Sequence, residues 1–155
     1  MQYYSTLKAK LIYIFTIGDE AHRGCVKIGE ATLDEATDSS LPPNCKALNQ
    51  AARKRIDQYT KTAGIDYTLR HTELTLSIRG GLITTFNDKQ VHEILLRSGI
   101  KRHDFSKKNQ GREWFECSVD TAIAAINAAK EGRFSIRADE MVPIDEEIEF
   151  RPEQK

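Results

Sequence analysis

Three side chains in the first half of the chain have types and positions that suit chemistry as well as packing. Tyr13 lies in the apolar run 11–15, and Lys27 lies in the second apolar run, 25–29. A phenol has a pKa of about 10, so it needs a nearby cation to act as a base at neutral pH. Arg55 falls on the apolar stripe of a predicted helix, where a guanidinium without a partner is costly. Each residue has a packing explanation alone; together they would form a site.

The pattern predicts the elements that would position these residues. The two runs form a hairpin of strands 10–17 and 24–29, and a polar loop with two prolines fills 30–45. A helix follows over 46–62, with Asn44 as its cap and Gly64 beyond its end. A third strand covers 67–79, ending at Gly80-Gly81, and a second helix covers 84–98, ending at Gly99. A short strand after Arg112 and a helix capped by Ser118 complete the chain to Gly132.

These motifs, in this order, resemble the GIY-YIG nuclease superfamily, in the phage-type branch whose second motif reads Lys-Ile-Gly. The run from Arg55 to Tyr59 is similar to the Arg-Val-x-x-Tyr of excision-repair nucleases, and Glu113-Trp114-Phe115 matches a Glu-Trp-Phe signature of the branch. The resemblance implies an α/β (α+β) fold with a small, mainly antiparallel three-stranded sheet flanked by helices. It also implies an endonuclease that cuts DNA.

The resemblance assigns roles to individual residues. It implies that Tyr13 activates water, that Lys27 lies beside the phenol or the phosphate, and that Gly29 meets a backbone requirement. It implies that Arg55 holds the scissile phosphate, with Arg53 as the register alternative and Tyr59 in support one turn later. A structural carboxylate partner is the competing interpretation for Arg55. His92 is either a satisfied helix histidine or a phosphate contact or proton donor.

Asp88 stands where this branch has a glutamate that binds the metal, and it is one methylene shorter. The resemblance implies Mg²⁺, or Mn²⁺, held by Asp88, with Glu93 and Glu113 as alternative carboxylates. We expect Tyr13, Lys27, Arg55 and Asp88 to converge on one concave face.

Charge is balanced overall, with 23 basic and 23 acidic residues among 155, so no whole-chain basic footprint for nucleic acid exists. A local basic run predicts the DNA contacts: Arg97, Lys101, Arg102, Lys107 and Lys108. Three cysteines without CxxC spacing argue against a disulfide framework and a zinc site. We find no signal peptide and no membrane span, so we expect a cytoplasmic protein with no membrane partner.

From residue 133 onward the chain loses periodicity and becomes acidic. We therefore divide it into a nuclease-like domain, 1–132, and an acidic linker, 133–155. The final residues resemble the entry to the core of superfamily-2 helicases, which implies a downstream helicase-like domain. The alternative function is a catalytically weakened DNA-binding or partner-docking module of such a protein, because Asp88 replaces the glutamate and the net charge is zero.

Overall fold

A computed structural model describes residues 9–33, 41–60, 64–103 and 114–144. Within these ranges the chain forms six strands and three α-helices. They are β1 (Lys10–Thr16), β2 (Cys25–Thr32), α1 (Lys46–Thr60), β3 (Thr68–Leu74), β4 (Leu76–Arg79), β5 (Leu82–Thr85), α2 (Asp88–Arg97), β6 (Trp114–Glu116) and α3 (Val119–Lys130). None of the described helices is long and apolar enough to cross a lipid bilayer.

Four of the strands form one antiparallel sheet in the order β3-β1-β2-β6. The β1–β2 hairpin is its centre, and its register places Tyr13 opposite Gly29. β6 pairs with β2 only from Cys25 to Lys27, so the rest of that edge of β2 is left to other elements. The predicted α+β class is confirmed, and the predicted strand after Arg112 joins the sheet as its fourth strand.

The central hairpin separates two apolar cores, because successive side chains of a strand point to opposite faces. The side termed the α1 face below packs Leu11, Tyr13, Phe15 and Trp114 against helix residues Leu48, Ala52 and Ile56. The other side packs Ile12, Ile14, Val26 and Ile28 against α2 and α3. Burial on both faces explains why the two strand sequences read as continuous apolar runs without alternation.

The segment between β3 and α2 differs from the prediction of one long strand followed directly by a helix. β3 ends at Leu74, and the amide and hydroxyl of the next residue, Thr75, both donate to the carbonyl of Lys10. β4 and β5 then form a separate hairpin. Its turn is Gly80-Gly81, with φ of 58° and 82°, a conformation that glycine adopts without steric cost. The helix consequently starts at Asp88, four residues later than predicted.

The predicted helix ends are partly confirmed. Ser118 caps α3, since its hydroxyl accepts the Thr121 N–H at 3.1 Å, and Gly99 follows α2 with a positive φ of 92°. Asn44 is not the cap of α1. Its side-chain oxygen instead accepts the Thr72 N–H at 2.9 Å, which fastens the loop before α1 to the edge of β3.

Residues 133–144 pack on the domain, so the predicted boundary at 132 is not the end of the packed structure. Ile136 is only 6% exposed and belongs to the core beneath α2 and α3. The carbonyl of Val142 accepts hydrogen bonds from the Ser118 and Thr121 hydroxyls at 2.7 and 3.0 Å. Hydrogen bonds and a buried apolar side chain thus hold the segment predicted to be a linker. Residues 145–155, including the helicase-like ending, lie outside the described residues.

Candidate active site

Tyr13 and Gly29 lie in contact at the centre of the α1 face. A Cβ atom at Gly29 would lie 2.5 Å from the Tyr13 hydroxyl oxygen and 2.6 Å from Cζ. Such distances are far shorter than van der Waals contact, so only glycine leaves room for the phenol. Tyr13 is 2% exposed, which places its hydroxyl inside the core rather than on an open surface.

Lys27 lies on the same face, since it is two residues from Gly29 along β2. Its strand neighbours are Phe15 on β1 and Trp114 on β6. The rings of these neighbours meet edge to face, with centroids 5.6 Å apart. Lys27 is half-buried. Its side chain leaves the sheet beside this aromatic pair, two positions along the hairpin from the pair of Tyr13 and Gly29.

The two candidate arginines of α1 lie on different flanks of the helix. The Arg53 guanidinium lies 5.9 Å from the ring centroid of Tyr67, the residue that directly precedes β3. Asp57 lies on that flank as well, accepting a hydrogen bond from the Tyr67 hydroxyl at 3.0 Å. Arg55 is two residues, or about 200°, around the helix from Arg53, so it lies on the flank toward β2. Its side chain is exposed, and its Nη1 donates to Gln58 at 3.0 Å.

Helix α2 runs along the part of the β2 edge that β6 leaves open. His92 is buried, and its Nε2 donates to the carbonyl of Ile28 at 3.0 Å. Asp88, the first residue of the helix, donates its backbone N–H to the Glu30 carboxylate at 3.0 Å. Two contacts therefore join α2 to the strand residues on either side of Gly29. These residues face the side of the sheet that packs α2 and α3, so Asp88 does not converge with Tyr13 and Lys27 on the α1 face, contrary to the prediction. His92 has the bonding of a satisfied structural histidine.

The carboxylates proposed as metal ligands have separate surroundings. Asp88 lies in the first turn of α2, where a negative charge also stabilises the helix. The Glu30 carboxylate beside it forms an ion pair with Lys10 at 3.4 Å. Glu93 is exposed and bonded to Arg97 at 3.0 Å, and Glu113 lies outside the described residues. Across the described ranges, no three histidine, cysteine or acidic side chains come together as a metal site.

The predicted DNA-contacting residues are only partly described. Lys101 and Arg102 are exposed, and the Arg102 guanidinium lies over the ring of Phe115 at 5.5 Å. Arg97 is held by Glu93 and by the carbonyl of Phe134, at 3.0 and 3.2 Å. Lys107 and Lys108 lie outside the described residues, as does the side chain of Tyr59.

Two features near this site were missed at the sequence level. Glu30 directly follows the second motif, and only the fold reveals that it meets α2. The second is His22, which bonds to Asp19 in the β1–β2 loop with 2.6 Å between Nδ1 and Oδ1. The Asp-x-x-His spacing was a visible signal, since a side chain three residues away in a turn is within hydrogen-bonding reach.

Comparisons with known proteins add no relationship to this geometry. No known protein family, curated protein or solved structure matches the chain significantly.

Proposed function

We propose that this chain is a metal-dependent endonuclease domain that hydrolyses DNA phosphodiester bonds, as the N-terminal module of a larger helicase, restriction or repair protein. The observation that carries the proposal is the set of contacts along β2. Four consecutive residues of β2 each contact a different candidate element. Lys27 lies beside the aromatic pair, and the carbonyl of Ile28 accepts a hydrogen bond from His92. Gly29 contacts the phenol of Tyr13, and the Glu30 carboxylate accepts the backbone N–H of Asp88. Residues far apart in sequence thus meet one strand, with Lys27 and Gly29 turned toward the α1 face and Glu30 toward the face that packs α2.

The charge on α1 supports a phosphate-containing substrate. This helix exposes four basic side chains, Lys46, Arg53, Lys54 and Arg55, and carries a single acidic residue, Asp57. In contrast, α2 and α3 each balance their acidic and basic residues. The basic helix covers the face that holds Tyr13 and Lys27, so an incoming phosphate meets positive charge on the side of the candidate site.

The geometry suggests how the residues divide the work. Arg55, on the flank toward β2, holds the phosphate through its planar guanidinium. Tyr13 is enclosed, so its part is to support the strand at Gly29 rather than to meet substrate first. Asp88 and Glu30, where α2 meets the open edge of β2, are hard oxygen donors that would suit Mg²⁺, which requires only one or two carboxylates besides water. A bound Mg²⁺ would neutralise charge on a phosphate that reaches this edge.

Two observations favour a second candidate, a DNA-binding or docking module without strong catalysis. The phenol that the resemblance assigns to water activation is buried, and Asp88 already has a structural role at the start of α2. In this alternative the basic α1 still binds DNA phosphates, and affinity falls steeply with salt.

Nicking of supercoiled plasmid with Mg²⁺ or Mn²⁺ separates the candidates. We expect Arg55→Gln to lower the nicking rate at least ~100-fold, the loss typical of a group that stabilises developing charge. Arg53→Gln is the matched control, since the same charge is removed from the flank toward β3, and it should retain most activity. Duplex binding without nicking by the parent chain would favour the second candidate, and equal loss in both variants would contradict the assignment of Arg55.

A further inference from the structure

The loop between β1 and β2 holds a histidine–aspartate pair that the chemistry above does not use. The Asp19 carboxylate accepts hydrogen bonds from both the ring and the backbone N–H of His22, at 2.6 and 2.9 Å. The bond from the ring holds the pKa of Asp19 below its ordinary value, although desolvation acts in the opposite direction. An ionised carboxylate only accepts hydrogen bonds, so Nδ1 carries the proton and proton exchange by His22 runs through Nε2.

This pair lies on the α1 face, next to the residues already described. The His22 ring packs on Trp114 with centroids 4.8 Å apart, and Trp114 is the strand neighbour of Lys27. The His22 side chain is 19% exposed, whereas Tyr13 is almost fully enclosed. On this face, the imidazole is therefore accessible from solvent and the phenol is not.

We propose that His22 is the catalytic proton acceptor of this site and that Asp19 is its positioning residue. The inference rests on the proposed nuclease function and gives His22 the water-activating role that the resemblance assigns to Tyr13. Histidine suits the role because it changes charge closest to neutral pH, whereas a phenol titrates at about 10.

The step is an ordinary hydrolysis. The water oxygen forms a bond to phosphorus while Nε2 of His22 takes one of the water protons. The bond from phosphorus to the leaving sugar oxygen breaks, and that oxygen departs with the electron pair and takes a proton from solvent. The imidazolium then returns its proton to solvent. Asp19 stays ionised throughout and stabilises the imidazolium.

Charged groups from the loop and from two strands lie around His22. Within the loop, Asp19 bonds to the ring, while Glu20 and Arg23 form a separate ion pair at 3.6 Å. From β2 the nearby charge is Lys27, and β6 contributes Trp114 together with the acidic Glu116, which pairs with Cys25 on the same face of the sheet. The neutral imidazole is the form that accepts the water proton, and Asp19 is the charge in contact with it.

The test measures single-turnover plasmid nicking by the full chain with Mg²⁺ at neutral pH. We expect His22→Gln to lower the rate at least ~100-fold. Asp19→Asn should lower it at least ~10-fold, since the carboxylate no longer orients the ring or stabilises the imidazolium formed in the step. His103→Gln is the control, because His103 forms the same kind of pair with Glu116 at 2.8 Å, and its backbone N–H donates to the carbonyl of Trp114, yet it is assigned no proton transfer.

Duplex affinity by fluorescence anisotropy, with Ca²⁺ replacing Mg²⁺, and melting temperature should stay the same in all variants. A parent that nicks DNA alongside an equally active His22→Gln variant would overturn this inference and leave the proposed function standing. A parent that never nicks would overturn both. If His22→Gln melts early, Asp19→Asn decides: an unchanged nicking rate in that folded variant would contradict the inference.

Discussion

At the scale of single residues, the ring of Tyr13 on β1 fills the space that a side chain at Gly29 on β2 would occupy. Gly29→Ala would place a methyl group within 2.5 Å of the phenolic oxygen, and Tyr13 is packed under α1 with little room to move. We expect a loss of about 1–3 kcal/mol in the free energy of unfolding, the usual cost of overpacking a core. Urea unfolding followed by circular dichroism measures it.

Gly18→Ala is the matched control for that substitution. Nothing lies within 4 Å of a Cβ atom at Gly18, so its stability should change by less than about 0.5 kcal/mol. Adding Tyr13→Phe to Gly29→Ala should restore only part of the loss, because Cζ is nearly as close as the hydroxyl, at 2.6 Å. Equal stability of the two alanine variants would show that the phenol moves aside freely.

At this scale, the sequence predicts a residue's role when its contacts are close in the chain and not when they come from distant elements. The importance of glycine at position 29 was predictable, because a glycine after an apolar run signals a close approach. The enclosure of Tyr13 was not, because it depends on α1, which begins more than 30 residues later. The role of Glu30 depends on a helix still farther along the chain, and nothing in its own neighbourhood indicates it.

At the scale of elements, the start of α2 determines where Asp88 and His92 lie along β2. Asn87 and Gln90 form a reciprocal cap, each side chain accepting the other residue's backbone N–H at 2.9 Å. Asn87→Ala should lower the free energy of unfolding by about 1 kcal/mol. Asn87→Asp keeps an acceptor at the cap and should remain close to the parent. Urea unfolding of the three proteins checks this, and a loss in the aspartate variant matching that of alanine would argue against the cap.

The error between β3 and α2 has a physical cause. Residues 67–79 are compatible with a single strand, and what breaks it is the tertiary contact of Thr75 with the Lys10 carbonyl. Gly80-Gly81 between two β-branched stretches is itself a hairpin signal. However, the run after it continues without interruption into the helical pattern, so local sequence alone did not separate β5 from α2.

At the scale of the whole molecule, Glu73 links the edge strand β3 to the end of α3. It is buried, and its carboxylate contacts Lys130 and lies 2.7 Å from His71 Nε2. Desolvation acts to raise the pKa of Glu73, yet the hydrogen bonds and charges of His71 and Lys130 outweigh it and lower that pKa from 4.5. A carboxyl group whose pKa is lower in the folded than in the unfolded chain stabilises the fold at pH values above its unfolded pKa. This stabilisation is lost as the pH falls through the folded pKa.

We therefore expect the parent to lose stability as pH falls below about 4.5, and Glu73→Gln to lose less over the same range. At neutral pH the variant should be less stable by about 3 kcal/mol, because Lys130 loses its buried partner. Glu93→Gln is the control, since it breaks an exposed pair with Arg97 and should cost less than about 1 kcal/mol. Thermal unfolding at several pH values measures both effects, and parallel pH curves for the parent and Glu73→Gln would contradict the linkage.

The last prediction concerns how far the folded unit extends. Beyond Gly132, Ile136 fills the core under α2 and α3, and its N–H donates to the Ser98 hydroxyl at 2.9 Å. Arg133 forms a two-bond pair with Glu140 at 2.9 Å, which folds the segment back on itself and holds the pKa of Glu140 at about 2.

Truncation after residue 132 should therefore cost at least about 3 kcal/mol, because it empties a core position and leaves the Ser98 and Thr121 hydroxyls without these partners. For a domain of this size that corresponds to a fall of roughly 10 °C in Tm. Truncation after residue 144 preserves every contact named above and should melt close to the parent. Equal Tm for the two truncated chains would mean that residues 133–144 add nothing to stability and that the domain ends at 132.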